Sequence, residues 1–232
     1  GGGTDWITVN KLHTRTDIMR LDGEGDRDLY YINTRGTDNG TEDGADQLTH
    51  IYDTGSSGID EITINGTSED DVFLLRAMAI EDAETPNTGF VAKLNEDDNV
   101  ERFNYRGIEG ITLNTLYGDD SVVSDDTLTV FTINGGVGDD SFQVGQVFKS
   151  QRIADDSAAN IAENDVFATI EITRGWLSNG ITAPMTINGG EGNDDFTVFH
   201  NKSVLTLSGG DGDDSFIVRS FALAGSKESQ RA

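Results

Sequence analysis

Apolar and polar residues alternate along most of this chain. In 132–144 (TINGGVGDDSFQV), Ile133, Phe142 and Val144 fall on one face, and Thr132, Ser141 and Gln143 fall on the other. A period of two predicts strands rather than helices. The strands are short and are broken by glycine-rich turns that end in an acid. Helical periodicity is scarce. The best helical candidate is 155–163 (DDSAANIAE), and 167–176 (FATIEITRGW) reads as one strand.

Aligning the glycines exposes a repeat. Three segments align without gaps: 132–144, 186–198 (TINGGEGNDDFTV) and 206–218 (TLSGGDGDDSFIV). Each runs strand, Gly-Gly turn, acid, strand, with Phe142, Phe196 and Phe216 in the same slot. Weaker copies share the frame. In 111–123, Gly118, Asp120 and Val122 are kept but the glycine pair is not; in 62–74, Gly66, Asp70 and Val72 are kept. Gly55, Gly58, Asp60 and Ile62 fit, as do Gly44, Asp46 and Leu48, and Gly3, Asp5 and Ile7. In 22–30, Gly23, Gly25 and Leu29 fit, with Arg27 where the acid is expected.

The apolar slot after the acid recurs at steps of 22, 19, 24, 20 and 20 residues, with two longer steps of 50 and 54. Short strands joined by tight turns cannot bury a face alone, but coils stacked ~4.8 Å apart bury a continuous core. The expected fold is all-β: a right-handed parallel β-helix or β-roll solenoid with ~20-residue coils, one domain over 1–232. The two long steps are insertions at about 76–109 and 145–183, expected to gather on one face and to offer partner contacts. A β-sandwich with irregular hairpins is the alternative fold.

The turns suit a cation. Glycine reaches positive φ without a Cβ clash, so its carbonyls can turn toward one point, and the following Asp adds a carboxylate. Calcium takes six to eight hard oxygen ligands. One turn offers too few and two stacked turns offer enough, so several ions are expected between coils. The competing reading, solvated acids in ordinary turns, suits an isolated loop such as Asp38-Asn39-Gly40. The alternating acids of 22–28 raise the question of a separate ion there.

These segments resemble the RTX nonapeptide GGxGxDxUx, a calcium-binding repeat in which U is a large apolar residue. Gly135, Gly136, Gly138, Asp140 and Phe142 match it, as do Gly189, Gly190, Gly192, Asp194 and Phe196, and Gly209, Gly210, Gly212, Asp214 and Phe216. The resemblance implies a parallel β-roll, calcium between coils and secretion in an unfolded state. The strict copies recur at ~20 residues rather than in tandem, so a single ion column is expected. Asp120, Asp140, Asp194 and Asp214 would lie in it, flanked by Asp119, Asp139, Asn193 and Asp213.

Charge narrows the partners. With 16 Lys+Arg against 42 Asp+Glu the formal net charge is −26, which opposes binding to nucleic acid or to an anionic membrane. No apolar run approaches the ~20 residues of a membrane helix. Cysteine is absent, so there is neither a disulfide nor a thiolate site. His13, His50 and His200 share no ligand spacing, and no nucleophile-elbow, HExxH or Walker pattern occurs. The chain is therefore expected not to be an enzyme. Trp6 and Trp176 are the candidates for stacking on sugar, although buried or capping tryptophans are commoner.

The first motif is incomplete at Gly1 and no cap is apparent at either end. The expected role is a calcium-binding, extracellular structural or adhesive segment of a bacterial surface protein, whether adhesin, surface layer or filament. Its partners would be calcium and neighbouring repeats or identical subunits, with surface glycans as a further class. The alternatives are a secretion and folding module of a secreted enzyme, and a carbohydrate-binding solenoid.

Overall fold

The computed structural model describes residues 1–10, 18–35, 47–77, 88–94, 100–151 and 167–225. The readings at His13, 38–40, Gly44, Asp46 and the helical candidate 155–163 lie outside these residues.

The chain first alternates between two sheets with β1 (Trp6–Asn10), β2 (Ile18–Leu21), β3 (Leu29–Asn33), β4 (Gln47–Tyr52), β5 (Glu61–Asn65) and β6 (Val72–Ala77). It then stays in the second sheet for β7 (Gly89–Leu94) and β8 (Val100–Arg106). Alternation resumes with β9 (Gly110–Tyr117), β10 (Ser121–Ser124), β11 (Val130–Val137) and β12 (Ser141–Val144). A small antiparallel sheet follows, built from β13 (Val147–Phe148), β14 (Thr169–Ile172) and β15 (Gly175–Ser178). The chain returns to the two large sheets through β16 (Met185–Glu191), β17 (Asp195–Val198), β18 (Leu205–Asp211) and β19 (Ser215–Val218). Among the described residues no helix occurs, and the protein is all-β.

The first sheet holds seven strands in chain order, β1-β3-β5-β9-β11-β16-β18, with every neighbour parallel. The second holds nine, in the order β2-β4-β8-β7-β6-β10-β12-β17-β19. Its pairs are parallel except on both sides of β7. Alternation explains the core. Ile62, Ile64, Ile111, Leu113, Phe131, Ile133 and Ile187 of the first sheet face Phe73, Leu75, Val122, Phe142, Val144, Phe196 and Val198 of the second. Phe142 stacks on Phe196, and Phe196 on Phe216, with ring centroids 5.0 and 4.6 Å apart. The strict copies are thus direct neighbours in register.

Several expectations need correction. The first insertion does not leave the stack on one face. β6, β7 and β8 form a meander that takes three adjacent places in the second sheet. The second insertion does leave, after β12, and rejoins at β16. Residues 167–176 are not one strand: a turn at Thr173–Arg174 splits them into a hairpin, with Gly175 at φ 140°. Three weak copies shift by one residue. Tyr30, not Leu29, pairs with Ile7 and Ile62, and Phe73, not Val72, pairs with Val122. In the third, Leu48 is only half-buried, while Thr49 and Ile51 point inward.

Candidate metal centre

The turn between a first-sheet strand and a second-sheet strand is shaped by glycine. Gly136 and Gly138 have φ of 114° and 141°; Gly190 and Gly192, 129° and 138°; Gly210 and Gly212, 115° and 140°. The first glycine is needed for a different reason. A Cβ at Gly135 would run into Asp140 Oδ2 and the Gly189 carbonyl, and one at Gly189 into Asp194 Oδ2. The absent side chain leaves the carboxylate room to fold under the turn.

Folding under, each acid meets the next copy. The Asp71 N–H donates to Asp120 Oδ1 (2.7 Å), Asp120 N–H to Asp140 Oδ1 (2.8 Å), Asp140 N–H to Asp194 Oδ1 (2.9 Å) and Asp194 N–H to Asp214 Oδ1 (3.1 Å). The flanking residues make a second ladder in the opposite direction. The N–H groups of Asp119, Asp139, Asn193 and Asp213 donate back to Asp70, Asp119, Asp139 and Asn193, at 2.8, 2.9, 2.7 and 3.0 Å. The structure therefore brings all eight of these sequence-selected positions together. The first-sheet side of each turn is held by an asparagine ladder, in which Asn33, Asn65, Asn114, Asn134 and Asn188 each donate to the preceding asparagine at 2.6–2.9 Å.

One oxygen of each inner acid is thus satisfied, and the other is not. Oδ2 of Asp120, Asp140 and Asp194 is buried without a hydrogen-bond partner. Burial raises the Asp120 carboxyl to about 6 and that of Asp140 to about 7. Neighbouring acids add to this, Asp71 and Asp70 for the first and Asp120, Asp194 and Asp119 for the second. Asp194 is raised by burial and by Asp214, Asp139 and Asp195. Asp71, in the same slot, is different: Lys93 of β7 reaches its Oδ1 at 3.0 Å with both side chains buried, and the Thr67 N–H donates to its Oδ2 at 2.7 Å. Asp120, Asp140 and Asp194 thus each present one unpartnered hard oxygen in register, of the kind that ligates oxygen-seeking cations.

A second ladder of acids runs beside the first sheet's strand starts. On the opposite edge, Asp5 N–H donates to Asp28 Oδ1 (2.8 Å), Asp28 N–H to Asp60 Oδ1 (2.7 Å) and Asp60 N–H to Glu109 Oε2 (2.7 Å). The ladder acid in 22–30 is therefore Asp28, and Arg27 lies beside it, paired with Glu61. The turn shape persists where glycine is lost. Among the described residues, the three non-glycines with positive φ are Glu24 (72°), Asp26 (74°) and Leu116 (84°). All three stand where a strict copy has its second or third glycine, four or two residues before the acid. Holding such residues there costs on the order of 1–2 kcal/mol each. Asp53 was not singled out in the sequence; with Asp28 and Asp60 it forms a buried triad.

The remaining candidates are elsewhere. His50 Nδ1 lies 2.9 Å from the Tyr52 hydroxyl, and His200 Nδ1 lies 2.9 Å from the Ser178 carbonyl. Trp6 is 68% exposed and stacks on Tyr31 at 5.6 Å.

Fold and site together define an all-β chain of two facing, largely parallel sheets with acids stacked along both edges. Compared with protein-family models, curated proteins and solved structures, the chain has no match.

Proposed function

We propose that the chain is a calcium-dependent parallel β-solenoid of the RTX type, serving as an extracellular structural or adhesive segment. The reading rests on one observation: Asp120, Asp140 and Asp194 present, in register, buried carboxylate oxygens with no partner. A cation between adjacent turns would satisfy these oxygens and offset their mutual repulsion. The order of the first sheet, which follows the chain with every neighbour parallel, supports the solenoid. Dependence on millimolar calcium suits an extracellular setting. Far-UV circular dichroism with calorimetry, in chelator and then with added calcium, tests this. A strand spectrum and a melting transition that appear or strengthen with calcium are expected. A full strand spectrum in chelator, unchanged by calcium, contradicts the proposal.

A second reading, carbohydrate binding, is favoured by the groove on the outer face of the first sheet. It measures about 390 Å³ and is lined by Trp6, Tyr31, Arg27 and Glu61 among others. A glycan array in calcium buffer tests it: glycan capture that Trp6→Ala abolishes is expected, and no capture contradicts it.

A further inference from the structure

The edge opposite the strict glycine turns carries three buried acids, of which the repeat explains Asp28 and Asp60 but not Asp53. Asp28, before β3, is 0% exposed, and its Oδ2 has no hydrogen-bond partner. Asp60 precedes β5, in register with Asp28. Asp53 follows β4, two residues past the fully buried Ile51, in a position where strand alternation calls for an apolar side chain. One oxygen from each of these three carboxylates lies within 4.8 Å of the others, and all three residues are buried.

The surroundings hold these groups in place. The Tyr30 hydroxyl donates to Asp53 Oδ2 and accepts the Gly23 N–H, both at 2.7 Å. The Gly55 N–H donates to Asp53 Oδ1 at 2.8 Å. A Cβ at Gly23 would collide with Asp28 Oδ2, so this glycine, like Gly135, makes room for a carboxylate. Three acids gathered in a buried space repel one another and are costly without a counter-charge.

We infer that Asp28, Asp53 and Asp60 form a separate cation site that takes a hard divalent ion of calcium's size. Asp28 and Asp60 stand at the acid position of weak copies of the turn, whereas Asp53, just past the end of β4, lies outside the repeat. Carboxylate oxygens brought within 4.8 Å of one another from separate junctions suit calcium, whose coordination is flexible, better than magnesium, which demands a near-ideal octahedron and gives up its waters reluctantly. Tyr30 is a positioning residue that orients Asp53. The site shares no residue with the Asp120–Asp140–Asp194 column and does not rest on that column being occupied.

Equilibrium dialysis of the full chain against calcium tests the site. Asp53→Asn is expected to bind about one ion fewer than the wild type, and Asp140→Asn to retain the triad ion while losing ions from the column. An Asp53→Asn chain that binds as many ions as the wild type overturns the inference. Loss confined to Asp53→Asn upholds it while contradicting the column. Terbium gives a readout that survives if Asp53→Asn does not fold. Tyr30 lies beside the site, so exciting tyrosine in the wild type should produce terbium emission. Calcium should displace this emission far better than magnesium, and Tyr30→Phe should remove most of it. Emission that is absent, or unchanged in Tyr30→Phe, overturns the inference.

Discussion

Asp71, Asp120, Asp140 and Asp194 occupy one slot of the repeat, and Asp71 is the member of the series that meets a buried base. Lys93 comes from β7, inside the meander that the repeat does not contain, so nothing in the periodicity marks it. A second such pair, Arg76 with Asp125 at 2.7 Å, is equally buried and joins the meander's first strand to the turn after β10. Removing one member of a buried pair leaves a charge without compensation, which costs about 3–5 kcal/mol. Lys93→Met should therefore destabilise the chain by about that much in a denaturant titration. Adding Asp71→Asn should recover part of the loss, giving a clear coupling energy in the double-mutant cycle. A Lys93→Met chain as stable as the wild type would contradict this account of Asp71.

At the scale of the strand, the first sheet is tied along one edge by side-chain amides. Asn134 donates to Asn114 and accepts from Asn188, at 2.8 and 2.9 Å, whereas Asn10 at the end only accepts. At about 1 kcal/mol per hydrogen bond, Asn134→Ala should cost roughly 2 kcal/mol and Asn10→Ala clearly less, read as shifts in the unfolding midpoint. The strict copies were legible down to the residue because their three glycines fix the frame. The weak copies slipped by one because two acids or two apolar residues adjoin. With Asp70-Asp71-Val72-Phe73, only burial decides, and Val72 is 39% exposed while Phe73 is 0%. A slip of one residue exchanges the faces of a strand. In the second ladder Asp5 and Asp60 fall in the frame, but Asp28 is masked, since Glu24 and Asp26 hold backbone angles where glycine was the signal. Asp53 could have been found as an acid in an inward slot. The meander could not, because local alternation does not say which strand is the neighbour.

For the whole molecule, acid stacking sets how stability responds to pH. The carboxyls of Asp120 and Asp140 lie near 6 and 7 in the folded chain, above the ordinary 3.8. Between these values the folded state holds more protons than the unfolded one, so without metal its stability falls as pH rises. The melting temperature in metal-free buffer should be highest near pH 4 and decline toward pH 7. Calcium should reverse that trend, because it binds the ionised form and displaces protons. A metal-free melting temperature that rises across this interval would contradict the burial described for the column. The most direct measurement is anomalous diffraction from crystals grown in calcium. The account predicts peaks between successive glycine turns, within ~2.3–2.6 Å of Asp120, Asp140 and Asp194 oxygens. A map with those carboxylates well ordered and no peak beside them would contradict it.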